Sequence, residues 1–136
     1  MNLILGDLGV ILGLSGSIAG VVALAIGLQR RDQRLLGSAR IYAGIVLAGS
    51  VLAIVAMERA LITRDFTVAY VADNGSSATP ALFNVATLWA SLEGSILLWA
   101  LVLAGYIAAV TWKFRDRITD PMVGWALLVM FAVAVF

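Results

Sequence analysis

From Ser95 to Trp112 the chain runs for eighteen residues without a charge, and a helix of that length covers about 27 Å, close to the roughly 30 Å hydrocarbon layer of a bilayer. Two earlier stretches repeat the pattern. Residues 41–57 carry no charge, and residues 3–28 carry only Asp7. One small core cannot hide that much apolar surface in a chain of 136 residues that is 62% hydrophobic and 12% charged. The sequence therefore predicts an all-α polytopic membrane protein.

Nine Lys and Arg against eight Asp and Glu leave a net charge of +1, which makes neither a nucleic-acid footprint nor a field for acidic substrates. Lipid and other membrane proteins are the expected partners, with no nucleic acid. The chain has no Cys and no His. Disulfides, thiolate metal sites, a catalytic thiol and the commonest haem ligand and general base are thus missing, which argues against catalysis or metal binding by this chain alone.

Taken in order, the first span covers 3–28. The only charge ahead of its apolar core is negative and the basic cluster follows it, the reverse of a cleaved secretory signal. Gly9, Gly13 and Ser17 recur every fourth residue, and Gly16 and Gly20 repeat the spacing on another face. Such stripes let a neighbouring backbone approach closely. A basic loop over 29–40 follows, with Arg30, Arg31, Arg34 and Arg40 opposed by Asp32 alone. The second span runs over 41–62, with small residues at Gly44, Ala48 and Gly49.

Residues 63–87 change character and read as a long loop. Phe66, Val68 and Tyr70 alternate with smaller residues, which permits a short extended segment, while Asn74-Gly75 signals a turn and Pro80 restrains Thr79 from helix. The third span covers 88–112. After the basic loop 113–120, Asp120-Pro121 offers an N-cap and a proline at the first helical position. The sixteen residues from Pro121 to Phe136 fall short of the usual twenty or so, so the fourth span, 121–136, is expected to be truncated. Seven of the nine basic residues lie in the loops after spans one and three. The positive-inside rule then puts the N-terminus and the long loop outside.

The stretch Trp89–Trp99, WASLEGSILLW, sets one carboxylate between two indoles at the mouth of the third span. A charge at a helix centre in lipid costs about 2.5–3.5 kcal/mol, so the place of Glu93 needs a reason. An interfacial carboxylate flanked by belt tryptophans is one account. A ligand-contacting or proton-handling group is the other. Gly94, beside it, permits close approach of a backbone or a flat ligand.

The order DFTVAYVADN at 65–74, then Pro80, then WASLEGSILLW resembles the N-terminal region of the CcmF family, the haem-lyase subunit of bacterial cytochrome c maturation, and its relatives in nitrite-reductase assembly. The resemblance implies a multi-pass protein of the bacterial inner membrane that assists covalent haem attachment to apocytochrome c on the outer face. It implies haem as cofactor, with ligands beyond this chain, and as partners a haem chaperone of the CcmE type and a CcmH-type or thioredoxin-like protein. The motif positions are Tyr70, Asn74, Pro80, Trp89, Glu93, Gly94, Ser95 and Trp99, with roles in function or packing and none in catalysis. Relatives often carry His before the Glu-Gly-Ser, where this chain has Leu92, and an aromatic-Lys pair where it has Phe83-Asn84. A small proton- or ion-translocating subunit using Glu93 is the alternative from another class, and a passive subunit held by its glycine stripes is a third.

Overall fold

The computed structural model describes residues 2–63, 65, 68–74, 83, 86 and 92–136. Three long helices dominate it: α1 (Asn2–Arg30), α3 (Ala39–Ile62) and α5 (Leu92–Lys113). Between them lie two short helices, α2 (Gln33–Gly37) and α4 (Ala69–Asn74). A 3-10 turn at Arg115–Arg117 leads to α6 (Pro121–Val135). Three helical stretches, Asn2–Arg30, Gln33–Ile62 and Gly94–Lys113, are long and apolar enough to cross a membrane, and α6 is a shorter apolar helix. The chain is a multi-pass α-helical membrane protein.

The seam between α1 and α3 organises the molecule. A Cβ built on Gly9 would stand 2.6 Å from the backbone nitrogen of Ala53, one on Gly49 would stand 2.5 Å from that of Gly13, and one on Gly16 would meet Ile45 at 2.8 Å. These pairings advance along one helix as they retreat along the other, so the two run antiparallel. The α3 side of the seam is a stripe of small residues, Gly49, Ala53, Ala56 and Ala60, all buried. Without a hydrophobic force between helices in lipid, such close approach is what holds them, through van der Waals contact along the backbones.

Towards the basic end, Leu24 of α1, Leu36 of α2 and Val46 of α3 join Ala104 and Ile107 of α5 and Leu127 and Phe131 of α6 in one buried cluster. Phe131 is fully enclosed, its ring 2.7 Å from where a Cβ on Gly20 would lie. Gly20 thus makes room for α6. A smaller cluster at the other end holds Val68 and Val71 against Ala60 and Leu61.

Two expected loops contain helix. Within 29–40, Arg31 takes a left-handed conformation with φ 54°, Asp32 N–H donates to the Gly27 carbonyl at 2.9 Å, and the chain turns out of α1. The Asp32 carboxylate then caps α2, accepting from the Arg34 amide at 2.9 Å. Asp32 ends one helix and starts the next, rather than merely opposing the arginines. Of the extended segment that the alternation of Phe66, Val68 and Tyr70 permits, Phe66 lies outside the described residues, and helix begins at Ala69. The Val68 amide donates to the Asp65 carbonyl at 3.0 Å, and Val71 and Ala72 donate back to Val68. Val68 and Val71, three apart, then share the face that docks on α3. Asp120 caps α6 as expected, accepting from the Met122 amide at 3.0 Å with Pro121 following.

Candidate functional site

The end of the bundle away from the basic loops holds the acids of the long helices, Asp7, Glu58 and Glu93. Asn2 ties the start of α1 to the end of α3, its Nδ2 donating to Asp65 Oδ2 at 3.0 Å and lying 3.4 Å from Thr63 Oγ1. Asp65 is itself held in place by its amide, which donates to the Ala60 carbonyl at 2.9 Å. Beneath this tie lies a cavity of about 110 Å³ lined by Asn2, Gly6 and Asp7 of α1, Ala53, Met57 and Ala60 of α3, Val68 just before α4, and Leu97 of α5. Its walls are apolar except where Asn2 and Asp7 stand at the rim. Among the described residues, two buried oxygens here have no hydrogen-bond partner, Asn2 Oδ1 and Glu58 Oε2. Glu58 shares a face of α3 with Ile54 and Leu61, which pack in the Val68–Val71 cluster.

The motif positions reach this end on two elements. Tyr70 and Asn74 lie on α4, and Glu93, Gly94 and Ser95 lie on the first turn of α5. Glu93 occupies the helical position one turn before Leu97. Gly94 is buried and Ser95 half-buried, and both are engaged with neighbours. Pro80 and Trp89 lie outside the described residues. Trp99 is placed differently. It sits two residues beyond Leu97, on the far side of α5, and is 70% exposed. Trp112 is 74% exposed on the same helix, about 20 Å away along its axis. Both indoles face outward from α5.

A second hollow, about 210 Å³, lies deeper, between Gly9, Gly13 and Ser17 of α1, Ser50 of α3, Ile96 and Ala100 of α5, and the end of α6. Both hydroxyls at its wall are spent on their own helices: Ser17 donates to the Gly13 carbonyl at 2.8 Å and Ser50 to Val46 at 2.9 Å. Among the described residues no group of three His, Cys, Asp or Glu side chains is placed to hold a metal ion. Sequence reasoning passed over Asn2 and Glu58. Glu58 had a signal, an acid directly after seventeen uncharged residues, but it falls inside the expected second span, 41–62.

This arrangement has close counterparts among known proteins. The chain is 36% identical over 109 residues to the cytochrome c-type biogenesis protein CcmF of Escherichia coli K12, covering 80% of this chain and 17% of that one. It is 35% identical over 126 residues to CcmF of Pseudomonas aeruginosa, covering 93% and 19%. A solved structure of the cytochrome c haem lyase CcmF superposes with a TM-score of 0.87 at 34% identity, over 99% of this chain and 22% of that one. The chain belongs to the CcmF family. No family model matches it, and it spans about a fifth of the length of the CcmF proteins it resembles. The superposition takes in essentially the whole chain.

Proposed function

We propose that this chain works in cytochrome c maturation, as the membrane scaffold beside the site where a CcmF-type haem lyase attaches haem to apocytochrome c. The observation that carries the reading is the superposition on the haem lyase CcmF over 99% of the chain. On this reading the protein lies in the bacterial inner membrane with the Asn2 end outside, as the basic residues at the opposite end favour. The segment 63–91 then faces the compartment where the apocytochrome, a CcmE-type haem chaperone and a CcmH-type or thioredoxin-like protein meet.

The residues described do not fit haem as its iron ligands. There is no imidazole or thiolate in the chain, and the two apolar hollows, about 110 and 210 Å³, are smaller than the roughly 300–1,000 Å³ of sites for ligands of drug size. What the chain supplies instead is position. The seam fixes α1 against α3, and the Asn2–Asp65 bond fixes where the outer segment leaves α3. The ion-path alternative finds no support. All the acids in the long helices, Asp7, Glu58 and Glu93, lie near one end, whereas a proton relay needs ionisable groups across the full depth.

The test is haem staining of c-type cytochromes in the host, with the chain's gene deleted and then restored with the native sequence or with Glu93→Ala. Deletion is expected to abolish the stained cytochromes, and the native sequence to restore them. Unchanged cytochromes after deletion would sink the proposal. Full restoration by Glu93→Ala would leave Glu93 with an interfacial role alone, whereas loss of maturation at normal protein level would place it on the haem-handling surface.

A further inference from the structure

The basic end of the bundle holds a hollow that the maturation reading does not use. It lies between α3 and α5, has a volume of about 310 Å³, and is lined by Arg40, Ala43 and Gly44 of α3, Ala108, Thr111 and Trp112 of α5, and Arg115 just beyond. Two cations meet at its mouth. Arg40 crosses from α3 to donate through Nη2 to the Arg115 carbonyl, which uses one of five guanidinium donors. The Arg115 guanidinium lies 5.4 Å from the centre of the Trp112 ring. Among the described residues no carboxylate pairs with Arg40. The acid nearest Arg115 is Asp116, 3.9 Å from its Nε with a side chain 90% exposed, where solvent screens it heavily.

Below this mouth the walls become bare. Nothing stands within 4 Å of where a Cβ would be at Gly44 or at Gly105, one turn further into the membrane on the α5 face that carries Ala108. The Thr111 hydroxyl is turned into its own helix, donating to Ala108 at 2.8 Å, and among the described residues that line the hollow the charged ones are Arg40 and Arg115. The end as a whole carries seven basic residues against Asp32, Asp116 and Asp120.

We propose that this hollow binds an anionic phospholipid, its phosphate held between Arg40 and Arg115 and its acyl chain lying over Gly44 and Gly105. Three features fit that occupant together: two guanidinium groups suited to phosphate, an exposed indole at the interface beside them, and an apolar furrow continuing inward. Basic pockets between membrane helices bind such headgroups. A soluble anion would need the arginines but not the furrow, and a neutral lipid the furrow but not the arginines.

The protein, extracted from its host membrane in a mild non-ionic detergent, is titrated with phosphatidylglycerol or phosphatidylcholine and the lipid-bound fraction read by native mass spectrometry. Phosphatidylglycerol is expected to bind and phosphatidylcholine not. Arg40→Gln with Arg115→Gln, and separately Gly44→Leu, are each expected to weaken binding at least about tenfold, while Arg30→Gln with Arg34→Gln leaves it unchanged. Millimolar inorganic phosphate is expected not to displace the lipid. Equal binding of phosphatidylcholine, equal loss in the Arg30 and Arg34 variant, displacement by phosphate, or binding untouched by Gly44→Leu would each overturn the proposal. Gly44→Leu keeps the charge and meets open space, so it decides the matter if the double arginine variant does not fold.

Discussion

Gly44 and Gly49 lie five residues apart on α3 and serve opposite ends. At Gly49 the backbone of α1 is so near that a methyl group would stand 2.5 Å from the Gly13 nitrogen and 2.7 Å from the Gly9 carbonyl oxygen. At Gly44 there is nothing within 4 Å. One glycine lets two helices close; the other leaves a space open beside α5. Small residues in a membrane helix therefore do not by themselves mark a helix interface. What decides is whether the opposite wall is backbone or empty, and the most direct test of that contrast is to add side chains to both.

The largest effect is expected at the closed seam. Gly49→Leu forces α1 and α3 apart, and overpacking of this kind costs about 3 kcal/mol or more. Unfolding in sodium dodecyl sulfate, followed by tryptophan fluorescence, should show a strongly lowered midpoint or no folded protein. A midpoint equal to that of the native protein would mean the seam is not the closed contact described.

Next comes Gly20, where the obstacle is a side chain rather than backbone. A Cβ there meets the Phe131 ring at 2.7 to 3.0 Å, and Phe131 is fully buried. Gly20→Ala is expected to cost about 1–2 kcal/mol. Against a Phe131→Leu background, in which the ring is gone, the same change should cost less. A double-mutant cycle on the same unfolding transition measures the difference, and strict additivity would show that Gly20 and Phe131 do not press on each other. At Gly44 the sign reverses. Gly44→Ala fills empty space on a helix and should raise stability by about 0.5–1 kcal/mol through backbone entropy alone.

The contrast explains how far the sequence could be read. The spans were legible because charge is absent over lengths that match a bilayer, and Asp120-Pro121 declared the start of α6 through the chemistry of its cap. The glycine spacing in α1 announced a close contact, and Gly9, Gly16 and Gly20 make one. On α3, however, Gly44, Ala48 and Gly49 looked alike, and only Gly49 is buried. A helix that is apolar all round has no polar face to show which side is turned inward. The alanine stripe at 53, 56 and 60 was hidden for the same reason. Helix α4 escaped because it is held by two valines against Ala60 and Leu61, a contact that lies in tertiary structure and not in local alternation. At the candidate site, the resemblance located the Glu-Gly-Ser turn, but spacing could not separate Leu97, which lines the cavity, from Trp99, which faces away from it.

The smallest expected effect sharpens the comparison by pH. No titratable side chain takes part in the packed glycine contacts of the α1–α3 seam, whereas the basic end relies on carboxylates at its turns. At Asp120 the Met122 amide and the Arg117 side chain, each at 3.0 Å, hold the carboxyl below its ordinary value. A carboxyl whose folded pKa is lowered contributes its stability above the unfolded pKa and loses it as pH falls through the folded one. Lowering the pH from 7 through the ordinary aspartate range should therefore loosen the first turn of α6 and leave the seam unchanged. Hydrogen exchange at the Met122 amide is the measure, since that N–H is the group the cap protects. Its protection factor, the rate corrected for the intrinsic slowing of amide exchange in acid, should fall as the pH drops below the ordinary aspartate value in the native protein, and in Asp120→Asn, whose amide oxygen can still accept but cannot titrate, it should not. If instead protection along the α1–α3 seam fell in step with Met122, the two ends would not be independent, and the seam would owe part of its stability to the charged turns rather than to backbone contact alone.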